Sequence, residues 1–390
     1  MSRYYSYLNS AKQILQQYKG EEPFSSFIKK FFSLEKKYGS KDRKQIAHLC
    51  YCFFRLGRSL LKIPVEERIL AGLFLCSTGS NEILGQLKPE WNKKTGATLK
   101  EKLLILNYSL LISDVFPWKD ELSDEIDHEK FSESFFTQPN LFLRMRPGYE
   151  NIVKTKLKKT AIEFNEISPT CLGLANAIKI ENVIELDKEA VIQDLNSQET
   201  GEFMKSAILN LKSEIKVWDC CGGSGGKSLL AFDINSNVDL AVSDSRESII
   251  LNLRKRFAAA GIKNYKAFVA DLTRNRESVT YKFDLIICDA PCTGSGTWSR
   301  TPEQLYFFDE KKIEQYSSLQ KKIASNIIPQ LKAGGFFLYI TCSVFKKENE
   351  ENIDFIRKEF HLELVKMELL KGYDKKADSL FVALFRKINS

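Results

Sequence analysis

Two cysteines hold the most specific chemistry in this chain: Cys292 in Asp289-Ala290-Pro291-Cys292-Thr293-Gly294, and Cys342 in Tyr339-Ile340-Thr341-Cys342-Ser343. A thiolate attacks electron-poor ring carbons readily, and one pyrimidine reaction calls for two thiols together. Carbon C5 of cytosine does not attack an electrophile unaided. A thiolate that adds to C6 turns the ring into an enamine whose C5 can take up a methyl group. A second group must then remove the C5 proton so that the first can leave. The residues alone do not say which cysteine adds and which assists. Taken singly, each would pass for a small buried core residue, so the reading depends on what positions them.

Each cysteine stands just beyond an expected strand, Leu285–Cys288 for Cys292 and Phe336–Ile340 for Cys342. If those strands are neighbours in one parallel sheet, both thiols reach the same carboxyl-end crevice. The chain after Gly201 supports such a sheet. Expected strands Val217–Cys220, Leu240–Ser243 and Ala267–Ala270 alternate with helical segments, and a helix from Ile313 to Leu331 carries Tyr316, Leu319, Ile323, Ile327 and Leu331 on one side ahead of Gly334-Gly335. Such alternation predicts a parallel, doubly wound sheet covered by helices.

The first of these strands runs into a glycine loop, Asp219-Cys220-Cys221-Gly222-Gly223-Ser224-Gly225-Gly226-Lys227-Ser228, the place where such folds hold a nucleotide-like cofactor. A Walker A loop ending at Gly226-Lys227-Ser228 needs glycine at 221, where Cys221 stands, and a dinucleotide fingerprint beginning at Gly223 and Gly225 needs Gly or Ala where Ser228 stands. Both phosphate-binding readings weaken. Carboxylates point instead to S-adenosylmethionine: Asp244 closes the second strand, where it can accept both ribose hydroxyls, and Asp271 closes the third, where it can take the adenine amino group. Asp219, Asp244, Asp271 and Asp289 are all expected at consecutive strand ends facing one crevice. Cofactor contacts are therefore expected from Cys221, Gly222, Gly223, Ser224, Gly225, Gly226, Lys227, Asp244, Asp271 and Asp289.

Together these motifs resemble the RsmB-type (Sun/Fmu) family of RNA cytosine-C5 methyltransferases. The resemblance runs through Asp219 to Ser228, Asp244, Asp271, Asp289 to Cys292 with Arg300 and Pro302, Thr341-Cys342-Ser343 with Glu348-Asn349, and Ala377 to Val382; it extends less sharply to Gln193-Asp194 and to Gly39 to His48. It implies an α/β fold: a Rossmann-like S-adenosylmethionine methyltransferase domain preceded by an all-α, NusB-like RNA-binding domain and a small α+β connecting segment. It implies that Cys342 attacks C6, that Cys292 assists proton removal, that Asp289 contacts the base near N3 and N4, and that Lys227 reaches the same site. It further implies 16S ribosomal RNA as the substrate. The family usually has Ala-Ala-Pro where this chain has Gly222-Gly223-Ser224, which gives the loop more backbone freedom.

The remaining sequence divides at about 130 and 200. From Tyr4 to about Ile126 the pattern is helical, with Ile46, Leu49, Cys50 and Phe53 on one face. The acidic stretch Asp120–Ser134 reads as a linker, and residues 131–200 as the small connecting segment, with strands Leu141–Met145 and Val183–Leu186 and a basic helix Glu150–Phe164. Residues 201–390 form the methyltransferase domain. Nine cysteines without a Cys-x-x-Cys pair support neither a disulfide framework nor a zinc site. A net charge of +8, with clusters such as Lys29-Lys30 and Arg254-Lys255-Arg256, suits a nucleic-acid partner or equally a solvated surface, and the resemblance makes that partner RNA. The opening residues lack a secretory pattern and apolar runs are short, so a cytoplasmic location away from membranes is expected; a monomer without metal is the accompanying expectation. Two other readings stay open at this stage: the same chemistry on transfer RNA, and a non-catalytic RNA-binding or ribosome-assembly factor that keeps the fold.

Overall fold

The computed structural model describes residues 3–108, 111–176, 178–211, 214–274 and 281–388. The chain forms two compact units, one of residues 1–122, 127–138 and 297–310, the other of residues 123–126, 139–296 and 311–390. No described helix is long and apolar enough to cross a membrane.

The first unit is helical, with Arg3–Gln17, Phe24–Leu34, Ser40–Arg55 and Val65–Cys76 as its long elements. Helix Ser40–Arg55 buries Ile46, Leu49, Cys50 and Phe53, the stripe expected from its spacing, and its start is fixed by Asp42, which accepts from the Gly39 N–H at 2.9 Å. The stretch read as a linker contains a helix, His128–Ser134, capped by Asp127. Residues 297–310, which lie between two strands of the other unit in sequence, belong here. Their helix Pro302–Phe307 places Tyr306 against the buried Arg68, whose guanidinium sits 5.0 Å from that ring and 4.1 Å from the ring of Phe53.

The second unit holds two sheets. The smaller is antiparallel, built from β1 (Leu141–Met145), β2 (Asn165–Ser168), β3 (Cys171–Leu174) and β4 (Ala190–Ile192) in the order β2-β3-β1-β4. Strand β1 has the expected bounds. The expected strand Val183–Leu186 does not form: Val183 and Ile184 both donate to the Ile180 carbonyl in a tight turn, and Leu186 makes only an isolated bridge to Ala190. The basic helix stops at Lys159, because Ala161 takes a left-handed φ of 52°.

The larger sheet contains β5 (Lys216–Asp219), β6 (Asp239–Asp244), β7 (Tyr265–Val269), β8 (Phe283–Asp289), β9 (Leu331–Thr341), β10 (Leu362–Leu370) and β11 (Leu380–Lys387), in the order β10-β11-β9-β8-β5-β6-β7. Strands β5 to β9 run parallel, as expected; β11 pairs antiparallel with β9, and β10 with β11, closing the edge with a hairpin that periodicity did not announce. The long helix runs Lys311–Ile327, shorter than expected, because Pro329 lacks a backbone N–H and leads into β9 at Leu331. Its strand passes through Gly334-Gly335 instead of starting after them. Val217, Val242, Leu285, Ile287, Leu338 and Ile340 form the core under the covering helices. Strand order reverses at β5, with β6 on one side and β8 on the other, so the crevice opens at the carboxyl ends of β5 and β8.

Candidate active site

Strands β8 and β9 are neighbours in parallel register, Asp289 opposite Ile340. The Ala290 N–H continues that pairing to the Ile340 carbonyl at 2.8 Å, and Gly296 donates to the Cys342 carbonyl at 2.9 Å, so the two loops leave the sheet side by side. Their sulfurs meet: Cys292 Sγ lies 3.3 Å from Cys342 Sγ, with both residues half-buried. The sulfur of Cys342 beside it, together with burial, holds the Cys292 thiol well above its ordinary range. Cys292 therefore keeps its proton at rest.

A buried carboxylate joins the two loops from behind. Glu348 is fully buried and accepts from the Thr293 N–H (2.9 Å) and hydroxyl (2.5 Å), the Ser343 hydroxyl (2.6 Å) and Gln320 Nε2 (2.9 Å). Gln320 also donates to the Pro291 carbonyl at 2.9 Å. Burial raises the Glu348 pKa, and these donors oppose the rise. One carboxylate thus ties the residue after Cys292 to the residue after Cys342. Asn349 braces the Cys342 segment itself, accepting from Thr341 Oγ1 at 2.6 Å and donating to the Ser343 carbonyl at 3.0 Å.

Beside the thiols lies a cleft of about 540 Å³, walled by Cys221, Gly223, Asp244, Asp271, Asp289 and Cys292 among others. Asp244 ends β6 and accepts from the Gly223 N–H at 3.2 Å; Arg246 covers it, through its backbone N–H and Nε, both at 3.0 Å. Burial works to raise the Asp244 pKa, and the Arg246 guanidinium and N–H with the Gly223 N–H outweigh it, so the carboxyl stays below its usual range. Asp271, just beyond β7, accepts from the Thr273 N–H and hydroxyl, which hold its pKa down.

Asp219 departs from the expected set. It ends β5 but is fully buried, accepts from the Ser228 hydroxyl at 2.6 Å, and does not face the cleft. Burial pushes its carboxyl up to about 7. Lys227 is buried as well, donating to Ser197 Oγ at 2.7 Å and lying 3.3 Å from Asp289 Oδ2. Gly222, Ser224, Gly225 and Gly226 shape the loop without walling the cleft. Gly222 lies so close to β6 that a Cβ there would meet Val242 Cγ1 at 2.3 Å, and Gly225 turns the chain into the next helix at φ +84°. Ser224 faces away, toward Arg256. Arg246 and Tyr316 are both on the cleft wall; Tyr316 was read from the sequence only as part of a helix face, and Arg246 was not singled out, although an arginine two positions past a strand-end aspartate, able to fold back on it, was the available signal.

Residues 206–384 match the family model described as 16S rRNA methyltransferase RsmB/F. The ribosomal RNA small subunit methyltransferase B of Photorhabdus laumondii is 29% identical over 227 residues, 55% of this chain and 50% of that one. The 28S rRNA (cytosine-C(5))-methyltransferase of Mus musculus is 30% identical over 159 residues, 38% of this chain and 19% of that one. The chain thus spans half or less of the length of these two relatives. The solved structure of PH0851 is similar with a TM-score of 0.70 at 20% identity, covering 94% of this chain and 95% of that one, a likeness of fold.

Proposed function

We propose, from the chain's membership of the RsmB/F methyltransferase family through residues 206–384, that this protein transfers a methyl group from S-adenosylmethionine to C5 of a cytosine in small-subunit (16S) ribosomal RNA. The observation that carries the proposal is the 3.3 Å approach of Cys292 and Cys342 at the edge of the cleft.

The cleft fits the cofactor. Its volume falls within the range of small-molecule sites, about 300–1,000 Å³, and two carboxylates kept ionised, Asp244 and Asp271, stand at adjacent strand ends where ribose hydroxyls and an adenine amino group can donate to them. Arg246 must give up part of its hold on Asp244 as the ribose arrives. The bound cofactor supplies an electrophilic methyl group; the residues of the chain do the rest.

In this reading Cys342 adds to C6, and Cys292, as the protonated partner, stabilises the thiolate before addition. Addition makes N3 of the ring basic, so the Cys292 proton passes to it beside Asp289. The Cys292 thiolate can then accept the C5 proton after methylation, which expels Cys342 as thiolate, and the N3 proton leaves to solvent to give the neutral aromatic ring. Lys227 holds Asp289 in place from the buried side. A flipped-out base is required, since C5 and C6 are not accessible within a stacked helix. The test is to incubate the protein with methyl-labelled S-adenosylmethionine and unmethylated small-subunit ribosomal RNA, then digest to nucleosides. Label in 5-methylcytidine is expected; cofactor binding without label in any nucleoside would leave the non-catalytic reading.

A further inference from the structure

Three neighbouring thiols in the second unit take no chemical step in that scheme. Cys220 and Cys221 follow β5, and Cys288 is the penultimate residue of β8. The strands are parallel neighbours, and the Cys220 N–H donates to the Ile287 carbonyl at 2.9 Å, which brings Cys220 level with Cys288. All three sulfurs lie within 4.8 Å of one another, and Cys220 Sγ is 4.0 Å from Cys221 Sγ. Cys220 and Cys288 are each 1% exposed, whereas Cys221 is half-buried. Both Cys220 and Cys221 contribute to the cleft wall, so the cluster is enclosed on one side and open to the cleft on the other.

We propose that Cys220, Cys221 and Cys288 form a three-thiolate site for a thiophilic divalent cation such as zinc, and that its occupation competes with whatever fills the cleft. Zinc–sulfur bonds of ~2.3 Å put ligand sulfurs about 3.8–4.0 Å apart in tetrahedral or trigonal geometry. Cys220 and Cys221 already have that separation, and the other two pairs need to close by about 1 Å at most. Binding is ligand exchange without redox change: three S–H bonds break, three protons leave to solvent and three metal–sulfur bonds form. The cleft is the entry path, and it leaves a fourth coordination position for water. Linear spacing hides the site, since its third ligand comes from another strand. Competition for the cleft is the one part that rests on the cofactor reading above.

The experiment uses the full chain, reduced and stripped of metal by chelation, titrated with Cd²⁺ alone while thiolate-to-metal charge-transfer absorption is followed; Zn²⁺ is then measured by displacement. One ion per chain is expected, with affinity falling by at least ~100-fold in Cys288→Ala and Cys221→Ala. It should survive in the Cys292→Ala/Cys342→Ala double variant, which removes the neighbouring pair of sulfurs at the edge of the same cleft. Cys221 is half-buried, so its variant tests the site even if Cys288→Ala does not fold. Absence of stoichiometric binding, binding indifferent to Cys221→Ala, or binding lost only in the double variant would overturn the site. S-adenosylmethionine affinity measured with and without Cd²⁺ tests the competition: weaker binding with the ion is expected, and equal binding would overturn it. Failure of the metal-free protein to bind S-adenosylmethionine would count against the cofactor reading and not against the ion site.

Discussion

Replacing Glu348 should separate the two thiols without touching either. Four donors converge on its carboxylate: the Thr293 N–H and hydroxyl, the Ser343 hydroxyl and Gln320 Nε2. In Glu348→Ala the hydroxyls can turn to one another, since Thr293 Oγ1 is already 3.3 Å from Ser343 Oγ and Ser295 Oγ is 3.2 Å from it. The Thr293 N–H has no such recourse, whereas Gln320 Nε2 keeps its bond to the Pro291 carbonyl. A buried N–H left unpaired costs about 1–3 kcal/mol, so a loss of at least about 1–3 kcal/mol in unfolding free energy is expected. Glu348→Gln should be much milder, because its amide NH₂ can face the two hydroxyls, which rotate to accept, while its oxygen still accepts from Thr293 and Gln320. Urea denaturation measures the stability, and diamide-driven cross-linking of Cys292 to Cys342 reports their proximity. Methyl transfer should fall on the order of 100-fold in the Ala variant, the sensitivity typical of a 1 Å misplacement. If Ala and Gln behave alike in stability and cross-linking, the carboxylate does not align the loops and the reasoning fails.

Asp244→Asn removes the charge that would receive the ribose hydroxyls; S-adenosylmethionine affinity measured by calorimetry should fall about 10–100-fold, one charge-assisted hydrogen bond's worth, with unfolding little changed. Asp219 makes stability depend on pH: its folded pKa of about 7 lies above the ordinary 3.8, so its protonated form stabilises the fold fully below about pH 4 and that stability is lost as pH rises toward 7. The difference is worth up to about 4 kcal/mol, and Asp219→Asn should flatten the curve between pH 4 and 8 in denaturation series; an unaltered slope would show that the carboxyl is ionised throughout. Gly222→Ala drives a methyl group into Val242 and should cost about 1–3 kcal/mol, most of it recovered in the Gly222→Ala/Val242→Ala double variant; independent effects of the two substitutions would contradict the contact.

The alternation of strands and helices after Gly201 was legible because each β-strand is short, apolar and followed by a polar or glycine turn, and the strand-end positions of Asp244, Asp271, Asp289 and Cys292 follow from that alternation. Long-range pairings were not legible. Glu348 meets Thr293 across 55 positions, and Cys288 joins Cys220 and Cys221 only because β8 lies beside β5. Asp219 shares the strand-end position of the other aspartates, yet the turn after it folds Ser228 back onto its carboxylate and seals it from the cleft. Strand β10, Leu362–Leu370, has an irregular inside-outside pattern as the sheet's edge, so its apolar spacing fits a helix as readily as a strand. No local pattern marks residues 297–310 as part of the helical unit, because membership there depends on tertiary partners such as Arg68.

The proposed division of labour between the two sulfurs meets its most direct test in Cys292→Ala incubated with S-adenosylmethionine and unmethylated small-subunit ribosomal RNA, resolved on a denaturing gel. Without a sulfur to take the C5 proton, the methylated ring should stay bonded to Cys342, giving a covalent protein–RNA band that vanishes when Cys342→Ala is added. A Cys342→Ala protein that still transfers methyl groups, or an adduct that persists in the double variant, would contradict attack by Cys342.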